Sequence, residues 1–168
     1  MDFINTLISM LLQLLVLGVV GGGVSWFYAN LQKKKELKLS VLRNFSSIHA
    51  QFISLRYEYN SFHVDKGGKR SPEFHLLTDD EARKNKWALF QKSCSLIGDI
   101  QSLKVLIVEL FPKTSDDIEF IFGIYQEWRR QIQSDRPILQ SPDGKNNENF
   151  DNLRNKYKLV VKEMKKSI

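Results

Sequence analysis

The chain has 168 residues and three histidines, each following an arginine at short range. Arg43 precedes His49 with five residues between them, Arg56 precedes His63 with six, and Arg70 precedes His75 with four. Histidine is the side chain whose ordinary pKa lies nearest neutrality, and an arginine beside it is a fixed cation. Other chemistry finds no footing: Cys/His metal spacing, a P-loop, a GxSxG elbow and an HExxH helix are all missing. Neither a metal nor a cofactor is expected.

The stretch Arg43-Asn44…His49 is similar to the Arg-x4–6-His motif of the all-helical HEPN ribonucleases. That resemblance implies proton transfer by His49 and stabilisation of phosphate charge by Arg43, roles that suit phosphodiester cleavage. In that family the motif lies near the last helices of the bundle. Here Arg154-Asn155 has that location, and Leu159 stands where a histidine is wanted. His49 also adjoins an apolar seam, which predicts a structural histidine and a degenerate or absent active site.

The elements that must position these residues are all helical. Val41, Phe45, Ile48, Phe52, Leu55, Tyr59 and Phe62 follow at alternating steps of four and three, a sustained heptad seam. A loop follows from Val64 to Leu77, and Thr78 with Glu81 reads as a capping box for a second helix. Its seam is Leu96, Ile100, Leu103, Ile107 and Leu110, widened by Trp87, Phe90, Cys94 and Ile97, and Pro112 ends it. Ser115-Asp116-Asp117 caps a third helix with the face Ile118, Ile121, Phe122, Tyr125, Trp128 and Ile132. After a polar loop, Ser134 to Asn149, the last helix shows Phe150, Leu153, Tyr157, Val160 and Met164. No segment alternates with period two, so the fold class is all-α.

The N-terminal segment has a different character. Phe3 to Gln32 carries no charge, and a bilayer core of ~30 Å needs about 20 helical residues. With Trp26, Phe27 and Tyr28 at its end and Lys33, Lys34, Lys35 and Lys38 beyond, it reads as a retained transmembrane helix with its N-terminus outside. The expected organisation is a membrane segment over 1–32 and a cytoplasmic four-helix bundle over 33–168, in a bacterial inner membrane. All 25 Lys and Arg and 18 of the 19 acids fall in the second part, a balance of 25 − 18 = +7. Such a balance suits a nucleic-acid partner or anionic lipid. One cysteine, Cys94, fits a reducing compartment.

Four glycines interrupt the apolar run. On a helical wheel Gly18, Gly21, Gly22 and Ser25 share an arc of roughly 100°, and Asn5, Ser9 and Gln13 fall nearly opposite. Small residues let helices pack closely in lipid, and an unpartnered amide such as Gln13 is costly there. The two faces together suggest a homo-oligomeric ring with the glycines at contacts and the polar arc toward a lumen.

One basic helical bundle of HEPN-like size behind one N-terminal membrane helix resembles the membrane accessory protein of type VI-B CRISPR systems. The resemblance implies an oligomeric pore or membrane-perturbing protein of antiviral defence, gated by its bundle. It also implies membrane lipid as a partner, beside an RNA-guided effector protein or RNA. The alternatives are a membrane-tethered HEPN-type ribonuclease using Arg43 and His49, and a non-enzymatic anchored docking module.

Overall fold

In the computed structural model, residues 2–61, 79–138 and 148–168 are described. Within the first helix, side chains are described at Gln13 and from Gly22 onward. The described residues form four α-helices: α1 (Asp2–Asn60), α2 (Asp79–Leu110), α3 (Ser115–Gln133) and α4 (Glu148–Lys166), with a 3-10 turn at Pro112–Thr114. No strand occurs among them. The chain divides into two compact units, one reaching Leu39 and one from Ser40 to Ile168.

In the second unit the four helices share one core. The α1 seam is buried as its spacing predicts: Val41, Phe45, Ile48, Phe52, Leu55 and Tyr59 all lie inside. The same holds for the six apolar residues expected on α3, and for Phe150, Leu153, Val160 and Met164 of α4. Aromatic stacking joins the layers. Phe52 of α1 lies flat on Tyr125 of α3 at 3.8 Å between ring centres, and Trp128 meets both rings edge-on.

The start of α2 departs from expectation. Trp87 is 60% exposed, while Leu89 and Ser93 occupy the core. Stepping back from Leu96 by three and then four residues gives Ser93 and Leu89, so the heptad passes Trp87 by. Two positions on a helix are about 200° apart, which turns the indole outward. We expect Leu89→Ala to cost about 2–4 kcal/mol and Trp87→Ala less than about 0.5, by urea denaturation.

The ends of α3 also differ in detail. Thr114, not Ser115, precedes its first turn, and the Thr114 hydroxyl donates to the Phe111 carbonyl at 2.8 Å without capping the helix. Asp116 and Asp117 sit in the first turn, where the helix dipole favours negative charge. At the other end Asp135 adopts a left-handed φ of 51°. The Asp135 amide donates to the Ile132 carbonyl and the Arg136 amide to the Gln131 carbonyl, the two bonds of a Schellman closure. The Thr78 half of the capping box on α2, and most of the two loops, lie outside the described residues.

One expectation is corrected. Among the described residues no helix is long and apolar enough to cross a membrane, which overturns the single-pass inner-membrane placement.

Candidate functional site

His49 lies on the α1 seam between Phe45 and Phe52, so the same spacing that builds the core carries it inward. It is only 9% exposed. Its ring stacks on Tyr157 of α4 at 3.6 Å, and its Nδ1 shares a hydrogen bond of 2.5 Å with the Tyr125 hydroxyl of α3. Burial pulls its pKa down from 6.5 to about 4, so it is neutral at pH 7. Burial, with Tyr157 nearby, raises Tyr125 well above the ordinary tyrosine value. The histidine therefore ties three helices together as a neutral ring.

Arg43 is exposed. Six positions on a helix separate it from His49 by about 120° around the axis and 9 Å along it. The two side chains face different surroundings and do not make an acid–cation pair. His63, Arg70 and His75 lie outside the described residues.

Arg56 and Asn60, one turn apart on α1, make a polar cluster that no motif search reveals. Both are buried, Arg56 at 1% exposure. The Arg56 Nε donates to the Ile138 carbonyl at 3.0 Å, and the Asn60 Nδ2 donates to the same oxygen at 2.9 Å. The Ile138 amide in turn donates to the Asn60 Oδ1 at 2.7 Å. The guanidinium carbon lies 3.9 Å from the centre of the Phe150 ring. Burial lowers the Arg56 pKa without discharging it. Beside this clamp the Tyr59 hydroxyl donates to Asp135 at 3.0 Å, and Lys86 of α2 reaches the same carboxylate oxygen at 2.7 Å. Every residue of the cluster is engaged in holding the chain after α3 against the end of α1.

The sequence matches no family model, no curated protein and no solved structure. Function has to be read from the chain's own surfaces.

Among the described residues, grooves open on the bundle. A polar one between α1 and α2, about 430 Å³, is lined by Asn44, Ser47, Gln51, Asp99 and Ser102 with apolar neighbours. A second, about 440 Å³, lies between α2 and the end of α3 and exposes Trp87 and Phe90 beside Arg83 and Lys86. The third, about 560 Å³, runs along α4 between Tyr157, Val161 and four lysines. In the first of them the Ser102 hydroxyl donates to the Gly98 carbonyl at 3.1 Å. Among the described residues no group of His, Cys, Asp and Glu is placed to hold a metal ion.

The residues expected in the N-terminal segment are only partly described. Gln13, Gly22 and Ser25 are exposed, and the side-chain positions of Asn5, Ser9, Gly18 and Gly21 lie outside the described residues. A Cβ added at Gly22 meets nothing within 4 Å. In the first unit Trp26, Phe27 and Tyr28 are 70%, 57% and 67% exposed, and Val24 and Leu31 are about half exposed.

Proposed function

We propose that this chain is a non-enzymatic, self-associating helical protein. Its first unit joins copies through α1, and its degenerate HEPN-like bundle serves as a docking and sensing module. The observation that carries this reading is the exposed apolar stripe of Val24, Phe27, Tyr28 and Leu31, with Trp26 exposed as well. At about 100° per residue Val24, Phe27, Tyr28 and Leu31, spaced i, i+3, i+4 and i+7, share an arc of roughly 100°, with Trp26 on the other side of the helix. An apolar stripe on a helix is normally buried against a neighbour, and large exposed apolar patches mark interaction sites. A second copy of α1 offers the same stripe.

The absence of catalysis in this reading rests on His49, held neutral inside the core, and on Arg43 facing elsewhere. From the type VI-B resemblance the proposal keeps the homo-oligomer and the responsive bundle in an antiviral setting. It does not keep the membrane-spanning pore, which needs a crossing helix.

The test is mass. The full chain is expected to sediment and scatter light as an oligomer, and Trp26→Glu/Tyr28→Glu as a monomer with unchanged helix content. A monomeric wild-type chain would sink the reading.

A further inference from the structure

The last helix carries a second feature that the core does not use. Arg154, Lys158, Lys162 and Lys165 are all exposed. At about 100° per residue they fall within an arc of roughly 80°, running about 16 Å along the axis. The core face of α4, marked by Phe150, Leu153, Val160 and Met164, lies about 120° away by the same arithmetic. Val161 and the half-buried Tyr157 occupy the border between the two faces. Together Tyr157, Val161, Lys158, Lys162, Lys165 and Lys166 line the open groove of about 560 Å³.

The acids of α4 leave this face largely free. Glu163 points to the far side, where it pairs with Lys166 at 3.1 Å. Lys156 is likewise turned away, bound to Asp117 of α3 at 2.6 Å. Asp151 stands at the N-terminal limit of the arc, one turn before Arg154. A row of like charges on one helix face is mutually repulsive and destabilises the helix slightly. An anionic partner removes that repulsion.

We infer that this face of α4 binds single-stranded nucleic acid, with its four cations along the phosphate backbone and the Tyr157–Val161 border offered to bases. The row of cations suits a polymer of regularly spaced charges better than a single anion. Tyr157 keeps one face on His49, and its groove side together with Val161 supplies the sequence-tolerant contact that single-strand binders make with bases. The net charge of +6 for the whole chain favours encounter with such a polymer.

The experiment is fluorescence anisotropy of the full chain with a labelled oligouridine over a range of salt. Each phosphate neutralised on a single strand contributes about 0.7 to the slope of log affinity against log salt, so four contacts give about −3. The variant Arg154→Gln/Lys158→Gln/Lys162→Gln/Lys165→Gln is expected to lose affinity about tenfold or more and to flatten the slope toward zero. Its circular dichroism should not change, because all four side chains are exposed. A control removing Lys33, Lys34 and Lys35 by glutamine substitution is expected to retain binding and most of the slope. Equal loss in that control, or unchanged affinity in the α4 variant, overturns the inference. So does displacement of the RNA by polyglutamate at equal charge concentration, and so does α4-dependent capture by phosphatidylserine vesicles without RNA affinity. The oligomer test is independent, since it reads α1.

Discussion

Asn60→Ala is expected to destabilise the bundle by about 2–4 kcal/mol, a large share of the 5–15 kcal/mol that holds a domain together. The amide side chain both donates to and accepts from the backbone of Ile138, which is fully buried. Removing it leaves the Ile138 amide without its acceptor in a place where water does not replace it. An orphaned buried donor costs about 1–3 kcal/mol, and the lost bond to the carbonyl adds to that. The carbonyl itself keeps Arg56, which bounds the effect from above. Asn44→Ala, exposed on the same helix, serves as the reference and is expected to shift stability by less than about 0.5 kcal/mol. The measurement is the urea midpoint at constant slope. An Asn60→Ala protein as stable as the Asn44→Ala protein would show that the Ile138 clamp contributes nothing.

Lowering the pH from 7 to 4 is expected to remove about 3 kcal/mol of stability through His49 alone. In the unfolded chain the histidine takes a proton near pH 6.5, and in the folded chain only near pH 4. Between these values the unfolded state holds the extra proton. The stabilisation is thus complete above about pH 6.5, declines as the pH falls, and is gone below about pH 4. The groups facing the ring are the Tyr125 hydroxyl from α3 and the Tyr157 ring from α4. His49→Phe/Tyr125→Phe keeps the stack and removes the hydrogen-bonded pair without leaving an orphan. Its stability should fall less steeply over the same range, with carboxylate titration common to both proteins. Parallel pH profiles for the two would remove His49 as the source.

The heptad arithmetic predicted the interior of the bundle well because each helix there buries one continuous stripe. It failed at Trp87 for a reason visible in the spacing: a large apolar residue was added to the stripe on composition when the register pointed to Leu89. His49 was legible as structural from its place on the seam, though not the two tyrosines that hold it, since those come from α3 and α4. The Arg56–Asn60 clamp was invisible. Its partner is a backbone group 78 positions away, and a main-chain acceptor leaves no trace in residue type. Arg56 drew notice only through its spacing to His63, a pairing that says nothing of its real partner. The Asp135 closure was equally hidden, because glycine is the usual residue at a left-handed helix end. An aspartate there makes sense only once Tyr59 and Lys86 are seen to reach it. The uncharged N-terminal run misled in the other direction: long in sequence, it supplies no crossing helix among the described residues.

The long separation between Asn60 and Ile138 also sets an order of events during synthesis. At about 5–20 residues per second, roughly 4–16 s pass between the emergence of Asn60 and that of Ile138. Throughout that interval Arg56 and Asn60 are already made, and the backbone that satisfies them does not yet exist. A nascent chain can pair α1 with α2, but it cannot dehydrate the end of α1 without stranding a guanidinium and an amide. The bundle therefore stays open at that end until translation has passed the C-terminus of α3. A ribosome stalled before Ile138 would present an incompletely closed domain to proteases and chaperones.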